Sequence, residues 1–220
     1  MKFLRLMSML PTLLPLSACA LSGGPVIGQV VEEGTNKPIP GAIIVVRWRG
    51  DLPGFADSRT VCYHVASTVT DQAGGYRIPA WSKETEKDWQ KRIINKEFVI
   101  DVYKAGYGWP TKPSQKVEIE YLAPFKGDTK ERFDYLSRVI SGTTCVSAGE
   151  SYKNLYRVTH AIYQEAKAIA RTADEKQRAE RFRELAEDTL VNRSKPTKYD
   201  ERGRPVNIDP KDTFRPEDLK

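Results

Sequence analysis

Thr68-Val-Thr-Asp-Gln-Ala-Gly-Gly-Tyr-Arg-Ile78 decides the architecture of the part of this 220-residue chain that can fold compactly. Val69 lies on one face of an extended segment, Asp71 opens a turn, Gly74 and Gly75 supply positive-φ positions, and Tyr76 and Ile78 resume a period-2 pattern. The stretch reads as strand, turn, strand. Upstream, Val26-Ile-Gly-Gln-Val-Val31 is a β-prone run that gives way to a polar turn from Glu33 to Pro38. After Pro40-Gly41 comes Ala42-Ile-Ile-Val-Val-Arg-Trp-Arg49, whose continuous apolar start predicts a central strand covered on both faces. Gly50 to Thr60, with Pro53 and Gly54, reads as a surface loop, and Val61 to Thr70 as the strand that enters the hairpin.

Downstream, Trp81 to Lys96 is rich in Lys and Glu and reads as a short helix laid over one end of the strands. Glu97 to Lys104 alternates, with Phe98, Ile100 and Val102 on one face, as a half-buried strand does. Gly106-Tyr-Gly-Trp-Pro110 makes a loop, and Val117, Ile119 and Tyr121 mark a last strand with Glu118 and Glu120 facing outward. Six or seven strands with turns at this spacing predict a mainly β fold, a β-sandwich over residues 25–124 with the insert at 81–96.

Four pieces together, Gly28-Gln-Val, Pro38-Ile-Pro-Gly-Ala-Ile, Thr70-Asp71 with Gly75-Tyr76-Arg-Ile78, and Ala105-Gly106-Tyr107, resemble the carboxypeptidase regulatory-like domain. The resemblance covers roughly Gly24 to Glu120 and implies a transthyretin-like, immunoglobulin-like β-sandwich. The insert at 81–96 departs from the family, which has a short connection there. The resemblance does not bring peptidase activity with it, because no zinc-ligand motif is present. Transthyretin relatives that hydrolyse 5-hydroxyisourate end in Tyr-Arg-Gly-Ser, whereas this chain ends in Glu-Asp-Leu-Lys.

Beyond Pro124 the period changes, and residues 125–191 read as a helical extension. Phe133, Leu136, Val139 and Ile140 follow helical spacing up to Ser141-Gly142. Ser147-Ala-Gly-Glu150 and Thr172-Ala-Asp-Glu175 have the spacing of capping boxes. Between and after them, Leu155, Val158, Ile162, Ala166 and Ile169, then Phe182, Leu185, Ala186 and Leu190, form narrow apolar stripes that pack on their own domain. Residues 192–220 carry Pro196, Pro205, Pro210 and Pro216 among many charges and read as a flexible charged tail, with a turn at Arg202-Gly-Arg-Pro205.

At the other end, Lys2 and Arg5 precede an apolar run from Leu6 to Leu16, too short and proline-broken to span a bilayer. Residues 1–18 therefore read as a secretion signal. Its close, Leu16-Ser-Ala-Cys19, resembles the lipobox of bacterial lipoprotein precursors. The small side chains at 17 and 18 leave the backbone open to a peptidase, and the Cys19 thiol is the acyl attachment point. The resemblance implies a lipidated Cys19, a linker over 19–24 and, with Ala20 where inner-membrane retention usually has Asp, the outer membrane facing the periplasm. Several acyl chains give a durable anchor where one would not.

The formal charge is +6, and removing Lys2 and Arg5 leaves about +4, with acids interleaved throughout. That balance is too mild and mixed for nucleic acid. Cys62 and Cys145 remain as an even pair in an oxidising compartment and predict a disulfide. The competing reading is a metal site from Cys62, His64, Cys145 and His160, whose spacing matches no familiar zinc pattern. His64 and His160 have no Ser, Cys or carboxylate partner at motif spacing, so no catalytic residue and no cofactor is expected. Three functional classes follow. One is a non-catalytic module that binds or scaffolds an envelope protein. The second is a glycan binder that stacks sugars on Trp81, Trp89 and Trp109, and the third a hydrolase built around His64.

Overall fold

The computed structural model describes residues 20–55, 57–85, 87–110, 118–191, 198–199, 205–206 and 213–216. Cys19, the leader and the turn at 202–205, apart from Pro205, lie outside them. Helix accounts for 36% and strand for 38%, so the chain is mixed rather than mainly β. The order is the expected one, strands first and helices after.

The strands are β1 (Ala20–Gly23), β2 (Val26–Glu32), β3 (Ile43–Pro53), β4 (Ser58–Val69), β5 (Gly75–Ile78), β6 (Trp81–Glu84), β7 (Ile94–Tyr103), β8 (Tyr107–Gly108) and β9 (Ile119–Pro124). One sheet runs β5-β2-β9-β8, with β2 and β9 parallel, and a second runs β4-β3-β7, antiparallel throughout. A two-stranded ladder joins β1 to β6. Then come helices α2 (Thr129–Thr143), α3 (Tyr156–Ile169) and α4 (Ala173–Thr189), after the single turn α1 (Asp88–Lys91).

β3 explains how these parts stack. Its apolar run sends alternate residues to opposite faces. Ile44, Val46 and Trp48 join Val30, Tyr76, Ile78 and Leu122 in a cluster shared with the four-stranded sheet. Ile43 and Val45 join Val65, Tyr103, Phe133, Leu136, Val158 and Ile162 in a second cluster shared with the helices. The three-stranded sheet is thus a middle layer, buried on both sides, as the unbroken apolar run predicts.

The opening stretch locks the first sheet to the middle one. Asp71 accepts from the backbone N–H groups of Ala73 (2.9 Å) and Gly75 (2.8 Å), and Gly74 takes φ +72°, whereas Gly75, expected at positive φ as well, opens β5 in the ordinary extended region. Thr70 is buried, donates to the Ile39 carbonyl and accepts from Ala42 N–H, so the Thr-Asp hairpin and the Pro-x-x-Gly-Ala turn hold each other. Tyr76 stands opposite Gly28, and a Cβ on Gly28 would lie 2.6 Å from Tyr76 Cζ. Only glycine lets the phenol ring cross the strand there.

Several expectations are corrected. The Trp81–Lys96 insert is not a helix: β6 and the start of β7 flank the one-turn α1. Residues 19–24, expected as a linker, contain β1, which pairs with β6 from Ala20↔Glu84 to Gly23↔Trp81. Each piece is too short to show a period, and each is a strand because of the other. Gly50 to Thr60 is mostly ladder, with Gly50↔Val61, Asp51↔Thr60 and Leu52↔Arg59 paired, so the loop shrinks to the tip that exposes Phe55. In β9, Leu122 is the fully buried residue, and Glu120, two positions back and opposite buried Val30, shares its face instead of pointing outward.

At the helix ends, Thr172 and Glu175 form the expected capping box, and Asp128 and Glu131 form another. The run around Ser147 to Glu150 takes Cys145 as its N-cap. That stretch belongs to a 3₁₀ run, Val146–Leu155, interrupted where Gly149 takes φ +60°. Of the tail, Lys198–Tyr199 pairs with Pro205–Val206, and residues 213–216 return to the helices, where Phe214 N–H donates to the Leu190 carbonyl.

Candidate functional site

The Cys62–Cys145 disulfide is present, with Cα atoms 5.1 Å apart across 83 positions of sequence. A β-bulge makes it reachable. Trp48 pairs with His64 but Arg49 pairs with Cys62, which leaves Tyr63 as the extra residue. Without the bulge Cys62 would share a face with His64; with it, Cys62 turns to the helix side and meets Cys145 in the second cluster. Cys62 and Cys145 are therefore spent on each other, and the alternative metal set with His64 and His160 does not assemble. Among the described residues no other group of three or more His, Cys, Asp or Glu side chains could hold a metal ion.

His64 stays on the inner face and is enclosed by aromatic rings. It stacks on Trp81 at 3.7 Å between centroids and 21° between planes, and lies 5.2 Å from the Trp48 ring. Trp48 and Trp81 meet edge to face at 5.3 Å. Gly23 of β1 closes the group: a Cβ there would come within 2.7 Å of Trp48 Cε2. Burial, helped by the Lys83 charge, drives the imidazole down from 6.5 to about 4, so the ring is neutral at physiological pH.

The three tryptophans expected to form a binding platform do not share one. Trp81 and Trp89 are half-buried against the inner cluster. Trp109 is exposed and stands on the Tyr135 ring of α2 at 4.9 Å, with the Arg138 guanidinium over it.

A buried polar network that sequence reading missed ties the helices to the middle sheet. Arg132 of α2 and Glu165 of α3 form a two-pronged ion pair at 2.9 and 2.8 Å, with side chains 6% and 10% exposed. Glu165 also accepts from Tyr103 Oη at 2.6 Å and from Gly106 N–H at 3.0 Å, while Arg132 donates to the Tyr107 carbonyl. Phe125 and Tyr135 cover the guanidinium, 4.6 and 4.7 Å from their centroids. Burial and the adjacent carboxylate push the Tyr103 phenol far above its ordinary range. These bonds join α2, α3, the end of β7 and the turn after it, so the network acts as a bolt between the helices and the middle sheet. The signal available in sequence was weak: Arg132 sits inside an otherwise apolar helix face.

An open cleft of about 210 Å³ lies between β4 and the start of α3. Ser67, Lys153, Asn154, Tyr156, Arg157 and His160 line it, and Pro216 of the returning tail forms one wall. His160 Nδ1 lies 3.1 Å from Tyr156 Oη, and His160 Nε2 lies 3.1 Å from Gln164 Nε2. Lys153 Nζ rests 4.0 Å above the Phe214 ring. The hydrogen-bonding neighbours of His160 are thus a phenol and an amide.

No protein-family model, curated protein or solved structure matches this chain.

Proposed function

We propose that this chain is a bacterial envelope lipoprotein, anchored through acyl chains on Cys19 in the outer membrane and facing the periplasm. Its strand layers are a transthyretin-like, carboxypeptidase regulatory-like β-sandwich that binds or scaffolds an envelope partner without catalysing a reaction. The observation that carries the reading is the strand that directly follows Cys19. Ala20, directly after the lipobox cysteine, opens β1, and Leu21 is 2% exposed. A lipid on Cys19 would hold this body against the bilayer with no spacer, an arrangement suited to presenting a surface at the membrane.

Two further features support it. The Cys62–Cys145 disulfide suits an oxidising compartment outside the cytoplasm. His64 packs against the Trp81 and Trp48 rings, and His160 is hydrogen-bonded to the Tyr156 hydroxyl and the Gln164 amide. Among the described residues no helix is long and apolar enough to cross a membrane.

Intact mass measurement of the chain expressed with its leader in a bacterial host tests the address. The expected product begins at Cys19 and carries a diacylglyceryl group and an amide-linked acyl chain, and Cys19→Ala leaves the membrane fraction after a high-salt wash. An unacylated N-terminus in membrane-bound protein would overturn the reading.

A further inference from the structure

The geometry of the cleft between β4 and α3 points to an anion-binding site that takes one phosphate or carboxylate group of an envelope molecule. This rests on the reading of the body as a binding module and names what it binds. Lys153, Arg157 and His160 follow each other four and three residues apart along the entry to α3, and all three line the cleft. The like charges of Lys153 and Arg157, four residues apart, repel one another. Among the described residues no carboxylate lines this cleft, and Glu187, whose charge acts on the Tyr156 phenol, is paired with Arg183. Arg157 is half-buried and has no hydrogen-bond or ion-pair partner among the described residues. Lys153 is held by the face of Phe214, which orients the ammonium while leaving its charge uncancelled.

The neutral groups add donors. With Gln164 Nε2 donating to His160 Nε2, the ring carries its proton on Nδ1 and donates it to Tyr156 Oη. The Tyr156 O–H is then free to donate into the cleft. Ser67 Oγ adds a second hydroxyl. Asn154 spends its Nδ2 on the Val65 carbonyl at 2.8 Å, which fixes the side chain to β4 and leaves one acceptor in a lining otherwise rich in donors. A cleft of about 210 Å³ is smaller than the roughly 300–1,000 Å³ of sites that enclose a whole small molecule, so it takes one charged group and leaves the remainder of the ligand outside. Phosphate and carboxylate both satisfy this donor set, with arginine favouring a forked contact to either.

The test is calorimetric titration of the full processed chain in detergent micelles with glycerol phosphate and with glucuronate, using glycerol and glucose as neutral counterparts. The expected result is saturable binding of at least one acid and of neither neutral compound, and the acid that binds tighter identifies the source. Arg157→Gln and Lys153→Gln each weaken binding about tenfold or more, as loss of a charge-assisted hydrogen bond does. Arg157→Lys retains part of the affinity, and Lys176→Gln on exposed α4 changes nothing. The proposal is overturned if neither acid saturates, or if affinity survives both glutamine substitutions in variants whose melting matches the parent chain. The acylation state of Cys19, read by mass on the same preparation, reports separately on the anchor.

Discussion

Replacing His64 by phenylalanine should flatten the acid side of the stability curve. In the folded chain the imidazole is held near 4 against 6.5 ordinarily, chiefly by burial against Trp48 and Trp81 and secondarily by the Lys83 charge. Between those two pH values the unfolded chain binds a proton at this position and the folded chain does not. The contribution is therefore fully present above pH 6.5 and is lost as the pH falls to about 4, below which both states are protonated. At about 1.4 kcal/mol per unit the whole gap amounts to roughly 3 kcal/mol, and because the ring keeps some access to solvent, about 2 kcal/mol should disappear between pH 7 and pH 4.5. Urea denaturation of the parent and of His64→Phe across that window gives the difference directly. Glu120, whose carboxyl is raised by burial and by Asp101, contributes with the opposite sign, present at low pH and lost as pH rises. It does so in both proteins and cancels in the difference. A difference curve flat to within about 0.5 kcal/mol would mean that water reaches the His64 ring as freely folded as unfolded, and the enclosure argument would fail.

Glu165→Gln leaves the Arg132 guanidinium buried without its counter-charge and should cost about 3–5 kcal/mol in denaturant midpoint, whereas Tyr103→Phe removes one hydrogen bond from an intact pair and should cost about 1 kcal/mol. Equal losses for the two would show that the pair is not a desolvated unit. Gly28→Ala puts a methyl group 2.6 Å from Tyr76 Cζ and should destabilise by about 1–3 kcal/mol, most of it recovered when Tyr76→Leu is added. An alanine variant as stable as the parent would mean that the ring does not cross the strand at Gly28.

Local chemistry carried most of what the sequence disclosed. The Asp71 turn, the Gly74 φ, the two-sided burial of β3 and the Thr172–Glu175 box are each decided by residues within a few positions of one another, and each is where its residues put it. Long-range pairing carried what was missed. Ala20–Gly23 and Trp81–Glu84 are four residues each with no period of their own, and become strands only by pairing with each other. The face inversion in β9 has a similar origin. Ile119 and Tyr121 alternate plausibly with Glu118 and Glu120, but the parallel register to β2 sets Glu120 beside Val30 and so puts Leu122 inside. Of the basic cleft only its parts were visible. Lys153, Arg157 and His160 are ordinary solvated residues on a helical wheel until Ser67, contributed by β4, and Pro216, contributed by the tail, wall them in.

The helical stretch after Pro124 cannot be an appendage in energetic terms. The middle sheet turns Ile43, Val45, Val65 and Tyr103 toward the helices, where they are between 0% and 9% exposed. Removing α2, α3 and α4 would open that whole face to water, and at about 25 cal/mol per Å² of apolar surface even a few hundred Å² amounts to roughly 5–10 kcal/mol, comparable to the 5–15 kcal/mol that holds a typical domain folded. Glu165 and Arg132 would go with it, leaving the Tyr103 phenol without its acceptor. A chain ending at residue 124, with Cys62→Ser to avoid a stray thiol, is therefore expected to lack dispersed amide resonances and a cooperative melt even though every strand of both main sheets is present. Dispersed spectra and a sharp transition from that fragment would show that the strand layers fold unaided, and would demote the disulfide from a bolt through a shared core to a tether between two independent bodies.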